Sequence, residues 1–158
     1  MYVEALNKTF QLDKYSSLII FATTNPSSNG GIFELNHDLK SRFAIWNWDY
    51  PSTLDESKLV NSHGVPNDFV EGLLRLASET RALEKKGNID YGISTRDISD
   101  AFDMYRSYDR ISGVDAKQLV MELKILGNYD NEDHLNTIKS RIESIFGKSI
   151  FGQKAGTR

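Results

Sequence analysis

Residues 18–28, Leu-Ile-Ile-Phe-Ala-Thr-Thr-Asn-Pro-Ser-Ser, drive an apolar run into small polar groups and a proline. The residue delivered to the tip is Asn25, whose side-chain amide both donates and accepts hydrogen bonds. Asn-Pro is equally the composition of a plain turn. A second motif with chemical content is Gly147-Lys148-Ser149, the only Gly-Lys-Ser in the chain. It fails as a phosphate-binding P-loop, because Ile142 stands where the first glycine is required and a helical pattern precedes it where a strand is needed. His37, His63 and His134 lie far apart and cysteine is absent, so neither a thiolate site nor a paired-histidine metal site is expected. Trp46, Trp48 and Tyr50 alternate in a way that suits base stacking, and more often suits the core side of a sheet.

The elements that position these residues divide the chain into unlike halves. Residues 1–52 read as α/β. Leu18–Ala22 is a continuous apolar run, as in a strand covered on both faces of a parallel sheet. Phe43–Tyr50 is a second strand candidate, stopped by Pro51. Leu35, Leu39 and Phe43 recur at helical spacing between them, the order of a right-handed crossover.

Residues 53–147 read as four short amphipathic helices, a small bundle. The first is predicted to start at Asp68 with an Asp68–Glu71 capping box and to bury Phe69, Leu73, Leu76 or Ala77, and Leu83. The second starts near Ser94 and buries Ile98, Ala101, Phe102 and Tyr105. The third uses Leu119, Val120, Leu123 and Leu126 and stops before Gly127. The fourth runs from Asn131 through Leu135, Ile138, Ile142 and Ile145 to Gly147. Residues 148–158 are expected to form a flexible tail. Two strands and one helix do not close an α/β layer, so the first half reads as the end of a larger domain whose beginning is supplied elsewhere.

Composition excludes several classes. Across 158 residues, 39% apolar and 26% charged describe an ordinary globular chain rather than a disordered one. A net charge of −3 argues against a broad electrostatic grip on nucleic acid. No window reaches the roughly 18 apolar residues of a membrane span, and the N-terminus lacks a secretory pattern, so a cytoplasmic protein is expected.

The order of the motifs resembles the C-terminal part of an AAA+ ATPase of the MoxR branch, CbbQ/NorQ type. The resemblance rests on Ala-Thr-Thr-Asn-Pro (22–26), Leu-Asn-His-Asp-Leu-Lys-Ser-Arg-Phe (35–43), Asp-Tyr-Pro-Ser-Thr-Leu-Asp-Glu (49–56) and Gly-Ile-Ser-Thr-Arg-Asp-Ile (92–98). Ser140–Gly147 is similar to that group's closing helix, and the match spans residues 3 to 147. The implied fold is α/β then all-α: the C-terminal end of an AAA+ P-loop NTPase αβα core (1–52), followed by a helical lid (53–147).

The resemblance also implies roles. Asn25 matches sensor 1, which orients the attacking water or touches the γ-phosphate. Arg42 matches the arginine finger that reaches the neighbouring subunit's nucleotide, where a planar fork meets spread phosphoryl charge. Arg96 matches sensor 2 at the start of a lid helix, whose N-terminus itself favours phosphate. Each arginine has a plainer role open to it: Arg42 pairing with Asp38, Arg96 with Asp97 or Asp100. Arg81 is either a further nucleotide-facing arginine or a charge at a helix C-terminus.

The cofactors implied are ATP and Mg²⁺, both held mainly by elements outside this sequence, since no P-loop precedes the sensor strand. A split gene, truncated frame or fragment is therefore expected, unable to hydrolyse ATP alone. The implied partners are a homo-oligomeric ring or a complementing P-loop half, a von Willebrand factor A-domain protein and a client enzyme that the ATPase remodels or activates. The rival expectation is a non-catalytic module docking on a complete ATPase. An AAA+ protein acting on DNA ranks below both.

Overall fold

The computed structural model describes residues 2–3, 7–9, 11, 19–23 and 37–152. Contacts divide the chain into two compact units, Met1–Ile45 and Trp46–Arg158.

In the first unit, β1 (Tyr2–Val3) and β2 (Lys8–Thr9) pair antiparallel, Tyr2 opposite Thr9 and Val3 opposite Lys8. A single helical turn, α1 (His37–Lys40), follows later, and Arg42 lies exposed in the turn after it. The strand expected at residues 18–22 is not formed where it is described: residues 19–23 are irregular, and Phe21 is 90% exposed. No strand lies beside this segment among the described residues, so its backbone has no ladder to join.

The second unit begins with a departure from the sequence reading. Residues 44–50 form no strand, and Trp46 and Trp48 are 79% and 87% exposed rather than sheet core. The break in contacts falls at Ile45, not at residue 52, because the following stretch is tied to the helices. Lys85 Nζ donates to Asp49 Oδ2 at 2.6 Å, and the Tyr50 ring lies 4.1 Å from the Arg81 guanidinium carbon.

Five helices build the rest. Helix α2 (Thr53–Leu59) is capped by Ser52, whose Oγ accepts from the Asp55 amide. Helix α3 (Asn67–Lys85) starts at Pro66 with no side-chain cap. The expected Asp68–Glu71 box is absent, because Pro66 holds the cap position and Asp68 is already the second residue of the helix; its carboxylate accepts from Lys117 Nζ at 2.5 Å. Helix α4 (Thr95–Tyr108) and helix α6 (Glu132–Phe146) lie where their periodicity predicts, α6 capped by Asn131 and closed at Gly147 with φ of 86°. Helix α5 (Ala116–Val120) runs directly into a π turn, Met121–Ile125, and a 3₁₀ turn, Leu126–Asn128.

The π turn shifts the apolar face. Val120, Met121 and Ile125 are buried while Leu123 is 58% exposed, against the expected set of Leu119, Val120, Leu123 and Leu126. A turn closed by the Leu126 amide on the Met121 carbonyl holds one residue more than an α turn, so the 3.6-residue phase fails across it. The core gathers Phe69, Leu73, Leu76 and Ala77 of α3, Ile98, Ala101 and Phe102 of α4, and Ile138 and Ile142 of α6. Residues 148–151, expected in a loose tail, form a 3₁₀ turn that buries Ile150.

Candidate functional site

The first turn of α4 gathers a cluster of polar contacts. Ser94 caps it, its Oγ accepting from the Asp97 amide at 3.2 Å while Asp97 Oδ2 accepts from the Ser94 amide at 2.9 Å. This reciprocal box satisfies two amides that the helix end leaves open. The Asp97 carboxylate also accepts from the Tyr91 hydroxyl, and Lys124 Nζ lies 3.2 Å from Asp97 Oδ1 and 2.8 Å from Asp100 Oδ2. Burial alone would push Asp97 up; the hydrogen bonds from Ser94 and Tyr91 outweigh it and hold the carboxyl below its usual range. The hydrogen bond to Asp100 raises Lys124. Burial, with the bond to Asp97, pushes the Tyr91 phenol up to about 12.

A second network holds the same turn from beneath. Glu56 of α2 is 1% exposed and receives a fork from Arg81 of α3, Nη1 to Oε2 at 2.9 Å and Nη2 to Oε1 at 2.7 Å. Arg81 Nε donates to the Ile93 carbonyl at 2.7 Å, and Thr80 Oγ1 accepts from the Ile93 amide. Glu56 Oε1 accepts a third bond, from Thr95 Oγ1 at 2.5 Å. The buried ion pair is thus fully engaged, the condition under which such pairs persist away from water.

Above these networks lies an open cleft of about 540 Å³, lined by Tyr50, Tyr91, Ser94, Thr95, Arg96 and Asp97. Arg96, the second residue of α4, is exposed at its rim and forms no ion pair among the described residues. The carboxylates expected to compete for it, Asp97 and Asp100, are taken by Lys124 instead. The hydroxyls of Ser94 and Thr95 both donate to carboxylates, and no histidine stands among the described residues that line the cleft. What remains is a guanidinium without an ion pair among the described residues, on the first turn of a 14-residue helix, an arrangement that attracts an anion.

Of the three residues singled out in the sequence, the structure places Arg96 at this cleft. Arg42 belongs to the other unit, and Asn25 lies outside the described residues. Arg81 is neither a nucleotide-facing group nor a terminal charge; it is the buried partner of Glu56. Sequence reasoning included Glu56 as the last residue of the 49–56 motif but gave it no role, although Ser52-Thr53-Leu54-Asp55 carries the cap signature that places α2. Lys124 was hidden because the π turn that presents it breaks helical periodicity.

The exposed Arg96 fits a phosphate group. Among the described residues no cluster of three His, Asp or Glu side chains is placed to hold a metal ion. Among them, too, no helix is long and apolar enough to cross a membrane. Compared with family models, curated proteins and solved structures, the chain matches none.

Proposed function

We propose that residues 53–147 are the nucleotide-facing lid of an AAA+ ATPase module of the MoxR branch, CbbQ/NorQ type. In such a module ATP binding and hydrolysis at subunit interfaces drive rigid-body lid motions that remodel or activate a client protein. The observation that carries this reading is Arg96: a guanidinium with no ion pair among the described residues, at a helix N-terminus, on an open cleft, inside the Gly-Ile-Ser-Thr-Arg-Asp-Ile motif. When bound, ATP supplies the phosphoryl group that is cleaved. This chain's part is to place positive charge against it and to close over it, with Arg42 reaching a neighbouring subunit and Asn25 serving as sensor 1. The P-loop and the Mg²⁺ seat come from a complementing half, and a ring is the assembly that an arginine acting in trans requires.

The experiment mixes this chain with a protein carrying the P-loop half and measures phosphate release. Stimulation is expected, with Arg42→Ala lowering the rate about 10³-fold and Arg96→Ala raising KM for ATP. If the wild-type chain gives no stimulation and binds no nucleotide in the mixture, the reading fails and a passive docking module takes its place. Retention on DNA at modest salt would favour a DNA-acting protein instead.

A further inference from the structure

We infer that Glu56 is a positioning residue for Arg96, acting through the Thr95 hydroxyl; as regulation of the proposed site, this rests on the lid reading. Arg96 follows Thr95 directly, and Thr95 Oγ1 donates to Glu56 Oε1 at 2.5 Å. Glu56 is itself fixed by the Arg81 fork and buried. Arg81 in turn is fixed by the Ile93 carbonyl, two residues before Thr95. The loop entering α4 and the first residue of α4 are therefore both tied to one ion pair contributed by α2 and α3. On the other side Lys124 holds Asp97 and Asp100. Arg96, between these anchors, is the residue of that turn left without a partner among the described residues.

The same pair receives the preceding chain. Tyr50 stacks on Arg81, and Asp49 is bound by Lys85. A displacement of residues 49–56 thus reaches Arg96 through two hydrogen-bonded steps, Glu56 to Thr95 and Arg81 to Ile93. Two discrete settings of this pair would give two settings of the guanidinium, the form in which packed elements transmit motion.

The test is Thr95→Val, which removes the one hydroxyl and leaves the Glu56–Arg81 pair intact, beside Thr95→Ser, which keeps it. In the free chain, Thr95→Val is expected to speed hydrogen exchange at the Asp97 and Ile98 amides roughly 10-fold. It is also expected to shift the Arg96 Nε–H resonance and to lower Tm by a few degrees, with Thr95→Ser restoring these signals. In the complemented ATPase it is expected to raise KM for ATP, as Arg96→Ala does but by a smaller factor, with kcat nearly constant. Unchanged exchange and an unmoved Arg96 resonance would overturn the inference, as would failure of Thr95→Ser to restore them. If the wild-type mixture has no ATPase activity, the lid reading alone fails, and the free-chain signals still decide the role of Glu56.

Discussion

Arg81 and Glu56, 25 residues apart in sequence, meet as a buried two-bond fork at 2.7 and 2.9 Å. The pair joins α2 to the C-terminal part of α3. Through Ile93 and Thr95 it also fixes the entry to α4. An ion pair so placed acts as a joint, since each of its oxygens and three of its nitrogens hold a different piece of chain or each other.

Breaking that joint on one side leaves an uncompensated buried charge. Arg81→Ala or Glu56→Ala is expected to lose about 3–5 kcal/mol, read from urea unfolding midpoints. The double change Glu56→Leu with Arg81→Met removes both charges and should recover much of that loss. If either single variant proves as stable as the parent, the pair is not desolvated as described.

Gly72 of α3 lies against the Phe146 ring of α6. A methyl group there would stand 2.4 Å from Phe146 Cε1, well inside contact distance. Alanine favours a helix over glycine by about 1 kcal/mol, yet overpacking costs about 1–3 kcal/mol. Gly72→Ala is therefore expected to lower Tm, and Gly72→Ala with Phe146→Leu to regain part of it. A higher Tm for Gly72→Ala alone would mean that the ring swings aside freely.

The helices legible in the sequence are those whose apolar period runs unbroken. Ile98, Ala101, Phe102 and Tyr105 all face the core, as do Ile138 and Ile142. Leu123 shows the limit: it keeps helical spacing with Leu119 and Leu126 but sits in a π turn, where hydrogen-bond phase overrides composition. Trp46 and Trp48 show another, since alternation predicts a strand only when a neighbouring strand completes it. The start of α4 near Ser94, and with it the place of Arg96 in the first turn, was legible from the helix signals. The role of Glu56 was not, because its partners are distant in sequence and only tertiary packing brings them together.

The polar groups around α4 also set a pH window. Asp49 and Asp68 are held below the ordinary carboxylate value by hydrogen bonds from Lys85 and Lys117, and Asp97 is lowered too. The unfolded chain takes up these protons first. The stability they give is therefore whole above the usual value of 3.8 and is lost as pH falls through the lowered folded values. At the alkaline end Tyr91 and Tyr105 are pushed up from 10.0 to about 12 by burial. Stability should then fall as pH rises from 10 towards 12, because the unfolded phenols ionise first. Urea midpoints across pH are expected to show both limbs, with Asp97→Asn flattening the acid one. Phenolate absorbance that saturates with the native fold intact would contradict the alkaline limb.

Both tryptophans of the chain, Trp46 and Trp48, lie in the irregular stretch ahead of α2 and are largely hydrated. Indole emission should therefore differ little between native and urea-unfolded chain, and acrylamide should quench the native protein efficiently. That makes the pair a reporter for assembly, because unfolding of the helices leaves them in much the same solvent. An α/β layer completed by a P-loop half would bury alternating aromatic side chains of this stretch. Mixing the two halves is expected to shift emission to the blue and cut quenching several-fold, with saturation at a fixed stoichiometry. Trp46→Phe and Trp48→Phe separate the contributions, and alternation places only one of the two on a given sheet face. A spectrum unmoved by a partner that does stimulate ATP hydrolysis would mean that the halves join without a strand at residues 43–50.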